Sequence, residues 1–84
     1  MHVYFITFRS VTPAQRGEAV LTGEGVRVSL IRTPRWMEER GCGYCLRLRC
    51  EDEGRWTALL RQKGIDFRRV YRQRGDGTLE EVRL

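Results

Sequence analysis

A cysteine between two glycines is the residue pattern with the clearest chemical potential in this sequence. Gly41 and Gly43 flank Cys42, so no adjacent side chain obstructs the sulfur, and glycine lets the backbone turn sharply. Successive backbone N–H groups in such a turn can form an anion-binding concavity. Arg35 and Arg40 are close in sequence, and nearby guanidinium groups favour the nucleophilic thiolate. Cys42 is therefore the candidate reactive thiol; the alternative is a turn that merely contains a small residue.

Cys42 and Cys45 also form a C-x-x-C pair, for which three interpretations compete. A thioredoxin-like pair opens a helix, whereas this one enters a predicted strand, where its Cα atoms would lie about 10 Å apart, beyond the ~7 Å limit for a disulfide. The pair closes only if Gly43 turns the chain. In the second interpretation the pair is half of a zinc site, but the other ligands are missing. Cys50 should face the opposite side of the strand from Cys45, and His2 is the only histidine. We therefore expect no metal unless a dimer supplies a second pair, and we favour Cys42 as the active thiol with Cys45 incidental or resolving.

The candidate thiol lies in an unusually long predicted connection between strands. Residues 33–43 read T-P-R-W-M-E-E-R-G-C-G, whereas a hairpin needs only about two to five residues. Long loops in compact domains are often functional. Trp36 and Met37 would form a docking surface if exposed, and would only anchor the loop if folded beneath it.

Hydrophobic periodicity predicts four strands and two helices. The apolar or alternating runs predict strands at 3–8, 26–32, 44–50 and 67–72, and helices at about 12–22 and from 53 to about 63. The alternation in 44–50 predicts that Tyr44, Leu46, Leu48 and Cys50 face inward. Thr12 is the predicted N-cap of the first helix, with Pro13 as its first residue and Gln15 completing a capping box. Asp52 is the predicted N-cap of the second helix. Gly64 is predicted to end this helix, with Ile65 making the hydrophobic contact of the C-terminal cap.

The order β-α-β-β-α-β predicts an α+β ferredoxin-like sandwich, with two helices on one face of a four-stranded antiparallel sheet. The 84 residues suit a single domain, 1–84, with a core at about 3–72. The tail, 73–84, contains an Asp76-Gly77 turn signal and is expected to form a short extra strand or to remain loose.

Composition narrows the classes of function. No apolar run approaches the ~20 residues that span a bilayer, and the N-terminal apolar stretch is too short for a secretory signal, so we expect a cytoplasmic protein. The net charge of +5 suggests the hypothesis that the chain binds RNA through the outward face of the sheet. That face should carry Arg27, Arg47, Arg49 and Arg68 or Arg69, with Phe5 as its likeliest aromatic residue. RNA-recognition domains place stacking aromatics on the central strands of such a face, and their signature is absent here, so we do not favour nucleic acid as the partner. The exposed face is also compatible with a homodimer.

Three strings resemble a small prokaryotic family of selenium/sulfur carrier-like proteins. They are I-T-F-R-S at 6–10, T-P-R at 33–35 and G-C-G-Y-C-L-R at 41–47, and the resemblance covers roughly residues 3–72. It implies that Cys42 is the carrier cysteine and Gly43 its partner. The surrounding motif is then Pro34, Arg35 and Arg47.

This sequence departs from the family pattern at two places. Small hydroxyl residues commonly precede the family's cysteine, whereas Arg40 and Gly41 do here. A small apolar residue usually stands where this chain has Cys45. The first departure alters the local charge, and the second opens a disulfide or polysulfide route.

The resemblance implies a carrier more than a true catalyst. Cys42 would take sulfane sulfur or selenium, as a persulfide or perselenide, from a donor protein such as a cysteine desulfurase, and pass it to an acceptor without a cofactor. Arg35, Arg40 and Arg47, with the backbone at Gly43, would stabilise the anion. The alternative is a non-catalytic interaction or regulatory module, which predicts a thiol that is sluggish toward alkylating reagents and a partner footprint around Trp36.

Overall fold

The fold is known from a computed structural model, which describes residues 2–33 and 43–82. In chain order the elements are β1 (His2–Phe8), α1 (Val11–Gly23), β2 (Arg27–Arg32), β3 (Tyr44–Cys50), α2 (Glu53–Gln62), β4 (Val70–Gln73) and β5 (Leu79–Val82). The strands form one sheet in the order β2-β3-β1-β4-β5, and every neighbouring pair is antiparallel. The prediction of a small α+β protein with two helices and an antiparallel sheet is confirmed.

The sheet has five strands, not the predicted four, because the tail adds β5 to its edge. Asp76 and Gly77 form the turn: the Asp76 carboxylate accepts hydrogen bonds from the backbone N–H and the hydroxyl of Thr78, and Gly77 takes a left-handed φ of 89°. Glu80 then accepts hydrogen bonds from Arg72 and Arg74. These local contacts select the strand over the loose tail, the two outcomes that the sequence left open.

The main core lies between one face of the sheet and both helices. Residues of β1 and β3 alternate onto this face, where Tyr4 is opposite Leu48 and Ile6 is opposite Leu46. The helices cover them with buried side chains from α1 and α2, so both helices pack on the same face; they contribute Ala14, Leu21 and Leu60. The predicted inward side of β3 is correct. We call the opposite face the helix-free face.

Both helices end in a Schellman motif. At the end of α1 the N–H of Val26 donates to the carbonyl of Leu21 at 3.0 Å, and Gly25 has a φ of 82°. At the end of α2 the N–H of Ile65 donates to Leu60 at 2.9 Å. The buried side chain of Ile65 makes the hydrophobic contact predicted for this cap.

The predicted start of α1 was wrong, whereas that of α2 was right. Ser10, not Thr12, is the N-cap of α1, and its side chain makes no capping hydrogen bond. Pro13 is therefore the third helical residue, still within the first turn, where a missing N–H leaves no intrahelical bond unmade. Asp52 caps α2 as predicted and accepts from the N–H of Arg55 at 3.3 Å.

The strand predicted at 67–72 begins later, at Val70. Before it, Arg68 and Arg69 face the single residue Thr7 of β1, as in a β-bulge. The N–H of Arg68 donates to the Thr7 carbonyl at 2.7 Å and the N–H of Thr7 donates to the Arg69 carbonyl at 2.8 Å. The extra residue interrupts the regular ladder, which is why the strand starts after it.

Within the described residues, no helix combines the length and the apolar character needed to cross a membrane.

Gly17 allows α1 to lie close to the sheet. A Cβ at this position would be 3.1 Å from a methyl group of Leu46 and 3.4 Å from the ring of Phe8. We expect Gly17→Val to lower the free energy of unfolding by about 1–3 kcal/mol through overpacking, as measured by urea denaturation. Gly23→Ala is the matched control, because a Cβ there meets nothing within 4 Å and helix propensity should improve. Equal effects of the two substitutions would contradict the packing argument.

Candidate functional site

The described structure includes three of the six predicted site residues. Cys42 and the two arginines at positions 35 and 40 lie outside the described residues, as do Pro34 and Trp36. Gly43 immediately precedes β3, while Cys45 and Arg47 lie within it. The site is therefore built from the ends of the segment that carries Cys42.

Thr33 and Gly43 hold the two ends of that segment together. The N–H of Thr33 donates to the carbonyl of Gly43 at 3.0 Å, one step beyond the last β2–β3 pair. A Cβ at Gly43 would lie 3.2 Å from the Thr33 hydroxyl and 3.6 Å from the Phe8 carbonyl. Gly43 does not have a left-handed φ. Glycine is needed here because Thr33 and the backbone of Phe8 come close to its Cα, and not because the chain turns sharply. Cys42 is thus joined to a fixed point at one end of the sheet.

Two arginines that the sequence reasoning did not include lie on either side of Gly43. Arg32 is opposite Tyr44 in the β2–β3 ladder, and its guanidinium lies 5.9 Å from the centre of the Tyr44 ring. Arg9 follows Phe8, which is opposite Tyr44 in the β1–β3 ladder. Their positive charge favours an anion at this end of the sheet.

Cys45 is fully buried on the helix-free face. It packs with Phe5, and burial raises the pKa of its thiol to about 11, while the nearby Thr33 hydroxyl acts in the lowering direction. That hydroxyl is itself buried and forms no hydrogen bond of normal geometry within the described residues, so its proximity to the thiol offsets little of the desolvation. At neutral pH Cys45 is a protonated, inaccessible thiol. A resolving role, which stays a prediction, would require this packing to open.

Arg47 lies on the helix-free face and is exposed. It lies four residue steps along the chain from Gly43, about 13 Å, so its place in β3 does not by itself bring the guanidinium beside the Cys42 sulfur. Its role in stabilising the anion stays a prediction. Arg47 instead neighbours Arg27 and Arg49, and these three arginines form no ion pair with the described acidic residues.

Phe5 on the helix-free face is not accessible for stacking with RNA bases. Phe5, the aromatic residue expected there, is only 8% exposed, because Val3, Ile31 and Tyr71 pack around it and Cys45. Base stacking requires an accessible ring. RNA binding therefore stays a prediction supported by charge alone.

Neither Cys50 nor any cluster of His, Cys, Asp and Glu side chains forms a further site in the described structure. Cys50 is buried in the core beneath the helices, on the side of β3 opposite Cys45, as its strand parity predicted. Among residues 2–33 and 43–82, no three His, Cys, Asp or Glu side chains lie close enough together to hold a metal ion.

Sequence reasoning did not bring together a group of arginines from two separate segments. They line a single cavity at the same end of the sheet as Gly43, and they are Arg9, Arg16, Arg68 and Arg69. The sequence carried two local signals, an Arg-Ser pair where a strand meets a helix and an Arg-Arg pair before the last core strand. Neither signal indicates that the two segments meet.

Comparison with known proteins identifies one family. The sequence model of a family described as "Putative Se/S carrier protein-like" matches residues 3–72. The matched residues include the whole segment between Thr33 and Gly43. No curated protein and no solved structure is similar enough to this chain to count as a match.

The Thr33–Gly43 contact predicts a measurable coupling. We expect Gly43→Ala to destabilise the chain by about 1 kcal/mol, because the new Cβ crowds the Thr33 hydroxyl. Thr33→Ala removes that hydroxyl, so the double variant should recover about 0.5–1 kcal/mol relative to additivity. Urea denaturation of the four chains measures the coupling, and strictly additive effects would show that the two residues do not crowd each other.

The buried Cys45 thiol predicts a loss of stability in alkali. Its pKa is about 11 in the folded chain against 9.0 for the ordinary thiol, so the folded state retains a proton that the unfolded state loses. Its contribution is complete below pH 9 and disappears as the pH rises to 11. We expect the difference in unfolding free energy between wild type and Cys45→Val to fall by on the order of 2 kcal/mol across this window. A difference that is constant with pH would mean that the thiol is hydrated or ionised in the folded chain.

Proposed function

This chain belongs to the Se/S carrier protein-like family, and we propose that it carries sulfane sulfur or selenium on Cys42 as a persulfide or perselenide. The family match carries the proposal, because it includes the segment that contains Cys42. The geometry of the described residues around that segment supplies the physical support. The chain acts as a carrier and not as a catalyst of a separate reaction.

A fixed attachment point supports the carrier role. Gly43 is held between Thr33 and Phe8 at the end of the sheet, so the chain that carries Cys42 is attached there to a fixed point. Transfer between proteins needs a sulfur that a partner can reach, and few contacts beyond it. The buried thiols of Cys45 and Cys50 do not meet this requirement.

Positive charge at the same end of the sheet supports the formation of the anion. Arg9 and Arg32 flank Gly43, and a thiolate or persulfide anion is favoured beside guanidinium groups. Arg35 and Arg40, close to Cys42 in sequence, would add to this effect, and Arg47 is the more distant member of the predicted set.

The proposed transfer conserves atoms and electrons. The Cys42 thiolate attacks the outer sulfur of a donor persulfide, such as that of a cysteine desulfurase. The donor's sulfur–sulfur bond breaks, the donor leaves as a thiolate, and a new sulfur–sulfur bond forms on Cys42. An acceptor thiolate later attacks the same outer atom and regenerates the Cys42 thiolate. With selenium the transferred atom changes and the bonds are otherwise the same.

The proposed carrier has a scaffold that we infer to be ferredoxin-like, extended by one strand. The order β2-β3-β1-β4 and the position of both helices on one face support this inference. We further propose a cytoplasmic location, since a carrier thiol must remain reduced between transfers.

Intact-mass spectrometry tests the carrier role. The reduced chain is incubated with a cysteine desulfurase and cysteine, and we expect a mass gain of one sulfur atom that a thiol reductant removes. A selenium-loaded donor should give a gain of one selenium atom. Cys42→Ser should abolish both gains, and Cys45→Ala is the matched control that should load normally. Loading of the Cys42→Ser chain would refute the assignment of the carrier atom.

The same measurement tests whether Cys45 resolves the persulfide. Attack of Cys45 on the inner sulfur of Cys42 would release hydrogen sulfide and leave a Cys42–Cys45 disulfide, with a mass two hydrogens below that of the reduced chain. Because Cys45 is buried and protonated, we expect the loaded wild type to persist without this product under native conditions. Rapid formation of the disulfide would establish the resolving role.

A further inference from the structure

A cavity of about 620 Å³ lies between the start of α1 and residues 64–69, which lead into β4. Its volume is in the range of small-molecule sites in proteins. Its walls carry four arginines against a single aspartate, Asp66. This excess of positive charge in a concave surface indicates an anionic ligand.

Two of the four arginines have a backbone that β1 holds in place. Thr7 is buried and uses its N–H, its carbonyl and its hydroxyl to bind residues 68 and 69. The hydroxyl accepts from the N–H of Arg69 at 3.0 Å. The guanidinium of Arg69 also reaches Glu81 at 3.8 Å, an exposed and therefore weak pair. The bulge thus fixes one wall of the cavity before any ligand binds.

The opposite wall carries positive charge that no described acidic residue neutralises. Arg9 and Arg16 form no ion pair within the described residues. Ser10 and Pro13 of the first turn of α1 also line the cavity, and that turn contains no acidic side chain. Guanidinium groups from two walls can bind the oxygens of one phosphate or carboxylate together.

A minor part of the cavity lining is apolar. Ile65 is buried, Phe67 is half-buried, and both line the cavity with Pro13. An inorganic anion alone would leave this surface unused. The lining therefore favours a small molecule that has an oxyanion at one end and an apolar or aromatic body.

The cavity lies near Gly43, the residue that follows the proposed carrier cysteine in the chain. Gly43 is on the β3 side of the end of β1 and the Arg68–Arg69 bulge is on the other side. Two strand spacings separate them, about 10 Å. A small molecule anchored by its anionic end in the cavity would thus have its other end close to Gly43, the residue that follows Cys42 in the chain.

We propose that this arginine-lined cavity binds the phosphate or carboxylate end of a small thiol acceptor, to which Cys42 passes its sulfur or selenium. The acceptor assignment rests on the proposed function, whereas anion binding by the cavity does not. The acceptor thiolate attacks the outer sulfur on Cys42, the bond from that atom to the Cys42 sulfur breaks, and the acceptor leaves as a persulfide.

Binding is tested on the full chain by amide chemical-shift titration with inorganic phosphate and phenyl phosphate. We expect saturable shifts at residues 9–11 and 64–69, with phenyl phosphate bound at least about fivefold more tightly because its ring covers the apolar part of the lining. Arg9→Gln with Arg16→Gln should weaken phenyl phosphate binding about tenfold. Arg27→Gln with Arg49→Gln removes the same charge from the helix-free face and is the matched control, expected to change affinity less than about twofold.

Absence of saturable shifts in this cavity, or equal losses in the two double variants, would overturn the anion site. Binding of phenyl phosphate no tighter than that of inorganic phosphate would overturn the assignment to a larger ligand. The titration uses Cys42→Ser as well as the wild type, with equal affinities expected, so that it is independent of sulfur loading. If Cys42 fails to load but phenyl phosphate binds as expected, the carrier proposal fails and the anion site stands.

The acceptor assignment is tested by unloading the persulfide of the wild type with 4-mercaptobenzoate and with thiophenol. In the wild type we expect 4-mercaptobenzoate to unload the persulfide faster than thiophenol does. The ratio of the two rates should fall about tenfold in the Arg9→Gln, Arg16→Gln chain and stay the same in the Arg27→Gln, Arg49→Gln chain. A rate ratio that Arg9→Gln with Arg16→Gln leaves unchanged would overturn the acceptor assignment.

Discussion

The antiparallel pairing of β1 with strands on both sides is the constraint on which the rest of this structure depends. Its inward residues, Tyr4, Ile6 and Phe8, form the centre of the core beneath the helices. Its carboxyl end meets the start of β3 on one side and the bulge before β4 on the other. Because both neighbours run in the opposite direction, segments far apart in sequence come together at that one end. The attachment point of Cys42 and the arginine-lined cavity are both consequences of this pairing.

The two cysteines of the C-x-x-C pair illustrate how position in the sheet decides chemistry. Cys45, one residue into β3, is enclosed by its neighbours on the helix-free face, and burial raises its pKa. A thiol tolerates this environment because its protonated form is a small apolar group with a weak donor. Cys42 is instead joined to Gly43, the residue that precedes β3. The same residue type therefore serves packing at one position and is the proposed carrier at the other.

Thr7 and Thr33 are small polar residues with large structural effects. Thr7 forms hydrogen bonds to two successive residues of the segment before β4, and so creates the bulge that holds the backbone of Arg68 and Arg69. Thr33 closes the segment before Gly43 and leaves its own hydroxyl without a normal hydrogen bond in the described structure. A buried unsatisfied hydroxyl costs about 1–3 kcal/mol, which the packing of this sheet must offset.

Local sequence alone determined the elements whose signals are local. Alternation in residues 44–50 assigned the inward side of β3, Asp52 marked the start of α2, and the Gly64-Ile65 pair marked its end. These succeed because each depends on backbone preferences and contacts within a few residues. The same reasoning singled out Cys42 and its glycines, since their chemistry can be read from residue type and spacing.

Tertiary structure decided everything that depends on which segments meet. The start of α1 follows from where β1 ends, the fifth strand needs β4 beside it, and Gly43 is required by its contact with Thr33. The cavity arginines come from residues 9–16 and 68–69, whose proximity no local pattern records. A charge acts through space, so only the pairing of β1 with the chain before β4 could place these guanidinium groups around one cavity.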